Sequence, residues 1–206
     1  MNKFPLISLA GAALLALASV HAPAAQWPGP PVRQGAAPVT WDGLEHSRWI
    51  ADGRDDAPRK VYVFMDANCK YCTKFWSDAR PWVRSGKVQL RHIMVAVIAP
   101  TSAGKAATLM VDPDPAGRLS SYEEAHAFGV VRMLADGRRH SLEDPNLQPM
   151  QVIPANIGRS LSDHARLMDS LGLRGTPGIV YRGPNGQLVT RPGIPPEELP
   201  TILGTL

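Results

Sequence analysis

Two of the 206 residues are cysteines, and they stand three positions apart in Cys69-Lys70-Tyr71-Cys72. A thiol pair at that spacing can exchange disulfides, bind a soft metal or close a static disulfide. The static bridge stabilises little, because the loop it closes is too short to remove much chain entropy. Structural zinc needs four ligands, but no second CxxC exists, and His46, His92, His126, His140 and His164 show no paired ligand spacing. Copper(I) could be held by the cysteines with Met65 or a histidine, although no Met-rich or His-rich tract supports it. Redox exchange is therefore the favoured chemistry, with no metal and no cofactor expected. A Cu(I)-binding module and a non-catalytic subunit of an envelope assembly are the alternatives.

The neighbouring residues assign roles to the two thiols. Lys60 to Met65 is a near-continuous run of β-branched, aromatic and apolar residues, as a strand buried on both faces requires. From Cys72 the apolar Phe75, Trp76, Ala79, Trp82 and Val83 recur at helical spacing. Cys69 then lies at a helix N-terminus, where unpaired N–H groups and roughly half a positive charge stabilise a thiolate and lower its pKa. Cys69 is the expected nucleophile. Cys72, one turn inside, is the expected resolving thiol that attacks a mixed disulfide. Lys70 adds positive charge beside Cys69, which stabilises the reduced thiolate and makes the disulfide more oxidising. Tyr71 is a better candidate for substrate contact than Phe75, Trp76 and Trp82, whose spacing marks them as core.

The elements that must position this pair form an α/β pattern. Ser85-Gly86 ends the helix, with Pro81 expected to kink it without ending it, and Val88 to Ile98 reads as a second strand. Strand, CxxC, helix and strand make a right-handed βαβ unit. Helices are expected at Ser102 to Met110, Ser121 to Leu134 and Ser160 to Leu171, with Pro-interrupted connections at Asp112 to Gly117 and Leu142 to Pro154. Gly178 to Arg182 and Gln187 to Arg191 flank Pro184-Asn185-Gly186, a strong hairpin signal, and Pro195-Pro196-Glu197-Glu198 opens a terminal helix. Trp41 to Ile50 offers apolar contacts for the flank of the domain, and Asp52 to Pro58 reads as a charged turn.

Residues 1–25 carry an early Lys3, an apolar run from Leu6 to Val20 and small residues ending at Ala25, the pattern of a cleaved secretory signal. Residues 26–40 are rich in Pro and Gly and read as a tether, leaving 41–206 as one catalytic domain. No later run is long and apolar enough to span a bilayer, so no membrane span is expected after signal cleavage. The 22 basic and 18 acidic residues are dispersed, without the clustered cationic stripe that nucleic-acid binding requires.

Beyond the cysteines, Val61-Tyr62-Val63-Phe64, Phe75-Trp76, Ala79-Arg80-Pro81-Trp82-Val83 and the run Ser85 to Arg91 resemble the catalytic domain of the periplasmic disulfide isomerase family (the DsbC/DsbG family). Val152-x-Pro154-Ala155-Asn156, Leu167-Met168-Asp169-x-Leu171-Gly172 and Thr176-Pro177 keep the family order, so the resemblance covers roughly Trp41 to Leu206. It implies a thioredoxin-like fold with a helical insertion between the CxxC unit and the C-terminal hairpin. It also implies a cis peptide at Thr176-Pro177 facing the cysteines, where Thr176 can pair with a substrate strand. The implied partners are exported cysteine-containing proteins and a membrane thiol reductase of the DsbD type, in the periplasm. The family's N-terminal dimerisation domain has no counterpart here, so a monomer acting as an oxidoreductase is expected in preference to an isomerase or protein-thiol reductase. Lys70 stands where the family more often has Gly or Pro, which leaves specificity its own.

Overall fold

The structure, a computed structural model, describes residues 39–137 and 147–206. The expected signal, nearly all of the tether, and the first part of the connection from Leu142 to Pro154 lie outside the described residues. The elements run α1 (Trp41–Glu45), β1 (Ile50–Asp52), β2 (Arg59–Met65), α2 (Lys70–Asp78), α3 (Arg80–Arg84), β3 (Val88–Met94), α4 (Ser102–Val111), α5 (Pro115–Asp136), α6 (Ala155–Ser170), β4 (Gly178–Arg182), β5 (Leu188–Pro192), a 3-10 turn (Pro196–Glu198) and α7 (Leu199–Leu203).

The five strands form one sheet in the order β1-β3-β2-β4-β5. β2 and β3 pair in parallel from Arg59 opposite Val88 to Met65 opposite Met94, as a βαβ unit demands, and the other pairings are antiparallel. Alternation along β2 splits its side chains between two cores. Val61, Val63 and Met65 pack with both cysteines, Phe75 and Leu109, while Tyr62 and Phe64 pack with Ile93, Val180 and Met168. Burial on both faces is why this strand reads as continuously apolar. The helical insertion, α4 to α6, and the β4–β5 hairpin occupy the places expected of them.

Several boundaries differ from the sequence reading, among them the start of α6, which lies at Ala155 instead of Ser160. Ile50–Asp52, read as flank and turn, is an edge strand antiparallel to β3; three residues are too few to show a period of two. The helix after the cysteines does not merely kink: it divides at Ala79 into α2 and α3, with Pro81 in the first turn of the second. Pro81 has no N–H for the carbonyl four residues back, and the Arg80 Nε donates to the Trp76 carbonyl at 2.8 Å. The second strand stops at Met94 instead of Ile98, because the amides of Val97 and Ile98 donate to the Asp66 carboxylate at 2.7 and 3.0 Å and leave the ladder. Finally, α5 begins at Pro115, inside the presumed connection: Asp114 accepts from the Gly117 amide as N-cap and Pro115 takes the first helical position.

Candidate active site

Cys69 is the N-cap of α2, in an extended conformation (φ −91°, ψ 101°) that turns its sulfur back over the helix end. There the Cys72 amide donates to Cys69 Sγ at 3.2 Å. Both cysteines are free thiols and both are buried, Cys69 with 5% of its surface exposed and Cys72 with 1%. Opposite them the Thr176-Pro177 peptide is cis, and the Thr176 carbonyl accepts from the Cys69 thiol at 3.3 Å. The structure thus brings Cys69, Cys72, Thr176 and Pro177, which span more than a hundred positions of sequence, into one place.

The two thiols differ electrostatically as their positions require. A hydrogen bond from the Cys72 thiol, aided by the Cys72 and Tyr71 amides and opposed by burial, lowers the Cys69 pKa to about 7. Burial first, and then the neighbouring Cys69 sulfur, holds the Cys72 thiol well above the ordinary range. One thiol is substantially ionised near neutrality and the other is not.

Two clefts adjoin at Tyr71, Gly175 and Thr176, and the smaller reaches Cys69. One, of about 380 Å³, is lined by Asn68, Cys69, Lys70, Tyr71, Val97, Ile98 and the 174–176 segment. The other, of about 580 Å³, runs beside Tyr71, Phe75, Pro177, Ile194 and Pro195, with Lys74 and Asp78 paired at its edge. Tyr71 stands between them and is 56% exposed; Val97 and Ile98 are about half exposed, at 53% and 50%. Lys70 holds its ammonium 5.0 Å from the centre of the Tyr71 ring. Trp76 and Trp82 are buried, as their spacing implied, while Phe75 is both buried and a wall of the larger cleft.

Several residues at the site went unmarked in the sequence. Asp66, at the end of β2, is buried and its carboxylate accepts from the Asn68 amide, the Ser102 hydroxyl and the Val97 and Ile98 amides. It ties the approach to Cys69 to the exposed apolar strip and to the start of α4. A charge terminating a buried apolar strand was the available signal. Asn68 in turn bonds the buried ammonium of Lys105 at 3.0 Å. The Tyr122 hydroxyl of α5 donates to the Ala67 carbonyl.

Behind α2 lies a second polar group. Arg80 clasps the carboxylate of Asp52 with both terminal nitrogens and covers the Trp76 ring at 3.9 Å, and His92 Nε2 stands 3.1 Å from Asp52. Burial works against the Asp52 carboxylate, but hydrogen bonds from His92 and Arg80 outweigh it and hold the pKa far below the usual range. Glu123 of α5 is buried against the same helix, where the nearby Thr73 hydroxyl favours its charged form and burial opposes it. It shares a stripe with Leu119, Tyr122, His126 and Val130, all buried. An acidic residue on an apolar stripe of period 3.6 could have been noticed.

Among the described residues no cluster of three or more His, Cys, Asp or Glu side chains could hold a metal ion, and no helix is long and apolar enough to cross a membrane. No protein-family model matches the chain. Two curated proteins match over most of it. The thiol:disulfide interchange protein DsbG of Pseudomonas aeruginosa is 44% identical over 165 residues, covering 80% of this chain, and DsbG of Escherichia coli is 39% identical over 167 residues, covering 79%. The chain spans 58% and 59% of the length of these relatives. Among solved structures, the catalytic domain of Proteus mirabilis ScsC superposes with a TM-score of 0.54 at 18% identity, covering 75% of this chain and 86% of that one. A periplasmic thioredoxin-like protein from Salmonella enterica gives 0.54 at 13% identity, covering 75% of this chain and 87% of that one. At such identities the likeness carries the fold, which is thioredoxin-like.

Proposed function

Given that the described chain is that of a DsbG-like thiol:disulfide interchange protein, we propose that it is a periplasmic thiol-disulfide oxidoreductase, with Cys69 as nucleophile and Cys72 as resolving thiol. The carrying observation is the separation of the two thiols: Cys69 lowered to about 7 at a helix N-terminus, and Cys72 sealed beneath it and held well above its ordinary range.

In the reducing direction, the Cys69 thiolate attacks one sulfur of a client disulfide; that S–S bond breaks, the departing client sulfur takes a proton, and a mixed disulfide forms. Cys72 loses its proton and attacks Cys69 Sγ, which expels the second client sulfur as a thiol and leaves a Cys69–Cys72 disulfide. The client gains two electrons and the protein loses two. Run backwards, the same steps oxidise a client.

Tyr71, Thr176 and Pro177 frame the approach and are the residues that a client segment would touch, while Lys70 tunes the charge beside the nucleophile. The clients are exported proteins with cysteines, and a membrane thiol reductase of the DsbD type restores the dithiol. The secretory pattern of residues 1–25 supports export, with 26–40 as the tether and 41–206 as the catalytic domain.

The test is the equilibrium of the pair with glutathione. A reversible two-electron exchange at about −120 to −230 mV is expected. Replacement of Cys72 with serine should trap a mixed disulfide through Cys69, and the converse replacement should trap none. A potential below about −300 mV, or an untrappable Cys69, overturns the reading in favour of a static bridge or a binding module. Reshuffling of a scrambled-disulfide protein at unchanged total thiol would instead mark an isomerase.

A further inference from the structure

The redox mechanism leaves one ionisable group behind the cysteine helix unused. Glu123 projects from α5 onto the inner face of α2, with 1% of its surface exposed. The Thr73 hydroxyl, one residue beyond Cys72, lies near enough to favour its ionised form, yet Oε2 is buried without a hydrogen-bond partner. A carboxylate so placed forfeits most of its hydration, and an unsatisfied charged oxygen is costly.

The surrounding charges do not relieve it. Cys69 on α2 is within electrostatic reach and opposes its ionisation, and so does Asp52 on β1. Arg80 on α3 favours ionisation, but both of its terminal nitrogens are committed to Asp52, whose other partner is His92 of β3. From α4 the one buried cation, Lys105, is bonded to Asn68, and on α5 itself His126 bonds the Tyr122 carbonyl. Burial above all, with these two like charges, raises the Glu123 pKa to about 8.

We propose that Glu123 is the proton-coupled partner of the redox pair, a positioning residue whose carboxylate takes up one proton when the Cys69–Cys72 disulfide is reduced and releases it on reoxidation. The inference rests on the redox reading of the pair given above. With a dithiol as reductant, the protein disulfide and the Glu123 carboxylate accept two electrons and two protons. The products are the Cys69 thiolate, the Cys72 thiol, the Glu123 carboxylic acid and the reductant's disulfide. The reason is electrostatic: reduction creates a thiolate within electrostatic reach of a buried carboxylate, and like charges that interact in a dry site oppose each other's ionisation. In the disulfide form Cys69 carries no charge and Glu123 ionises at lower pH.

The sign of the consequence follows. At alkaline pH, where Glu123 is ionised in both forms, it penalises the thiolate and favours the disulfide. At acid pH it is neutral in both and does neither. A neutral isostere should therefore make the pair easier to reduce at alkaline pH only.

The experiment is the glutathione equilibrium of the full chain and of Glu123→Gln, measured from about pH 6 to about pH 9. Glutathione's own titration cancels in the ratio of the two constants. That ratio should be flat at the acid end and climb about tenfold toward the reduced variant as Glu123 of the parent ionises, one pKa unit of coupling being worth a factor of ten. A ratio independent of pH, with both proteins exchanging reversibly, overturns the inference and leaves the redox reading intact; failure of the parent to exchange at all overturns both. Should Glu123→Gln not fold, the reduced-minus-oxidised infrared difference spectrum of the unaltered protein decides at about pH 8. A protonated-carboxyl band must appear on reduction, and its absence sinks the idea.

Discussion

Two buried carboxylates near the cysteine helix have opposite surroundings. Asp66, where the chain enters α2, accepts from three amides and a hydroxyl, so each of its oxygens has two donors. Glu123, behind α2, has an orphaned oxygen and only the nearby Thr73 hydroxyl and the committed Arg80 to favour its charge. Burial is similar, since each residue exposes 1% of its surface. What differs is the supply of donors. A carboxylate with four donors is a fixed bracket for the loops around it, whereas one with a buried, orphaned oxygen is poised to change protonation when a neighbour's charge changes.

The strongest way to break this contrast is to remove the bracket. Asp66→Ala strands the donors of Asn68, Ser102, Val97 and Ile98, at about 1–3 kcal/mol for each that stays dry. With partial hydration at the mouth, a loss of about 4 kcal/mol is expected in urea unfolding. Hydrogen exchange at the Val97 and Ile98 amides should accelerate in parallel. A loss below about 1 kcal/mol would mean that water replaces the carboxylate and that Asp66 is no bracket.

Comparable in size is the effect of the ion pair that separates Glu123 from a free cation. Arg80→Met leaves Asp52 buried with only His92 as partner, and breaking a buried pair from one side costs about 3–5 kcal/mol. Stability measured at neutral pH should fall by that order, and the loss should shrink as the pH drops far enough to protonate Asp52. That direction follows because the folded-state pKa of Asp52 is depressed, so its contribution exists above the unfolded value and is lost only in acid. A loss unchanged by acid would show that the packing of Arg80 on Trp76, not its charge, is what α3 needs.

Glu123→Gln is expected to act with the opposite sign. Its pKa is raised from 4.5 to about 8 on folding, so the parent is destabilised progressively as pH rises between those values and no further above. The glutamine variant lacks that slope. The difference should therefore grow in the variant's favour across this window, to an order of 1–3 kcal/mol, and then level off. Thermal unfolding of the reduced proteins across the window checks it, and a constant difference would place Glu123 beside Asp66 as a purely structural acid.

The sequence made one half of this contrast much more legible than the other. The CxxC, the apolar strand before it and the amphipathic helix after it fix the position of Cys69 through local patterns of two and 3.6 residues. The hairpin around Asn185-Gly186 is equally local, and Gly186 has the positive φ (77°) that such a turn requires. Asp66, Asp52, Arg80 and Glu123 owe their roles to partners far along the chain: Asp66 reaches Ser102, and Asp52 reaches Arg80 and His92. No local period encodes such pairs. The same long reach explains the shortened β3, which looked like strand to Ile98 until the Asp66 carboxylate competed for its amides. Pro81 was legible as a disturbance, but its severity depended on Arg80 turning to the Trp76 carbonyl.

The smallest effect is expected at the exposed front of the helix, at Lys70. Its ammonium lies over the Tyr71 ring at 5.0 Å, on a side chain only partly covered, where solvent and ions screen its field. The helix N-terminus and the hydrogen bonds at Cys69 Sγ are nearer and drier. Lys70→Gln should therefore raise the Cys69 pKa only slightly, about twofold in thiolate fraction near neutrality, as read from thiolate absorbance against pH. Near 1 M salt, where the screening length falls to about 3 Å, even that difference should vanish. A tenfold change that survives salt would place the charge of Lys70 on the sulfur itself, and the front of the helix would then tune the nucleophile as strongly as the buried carboxylate behind it.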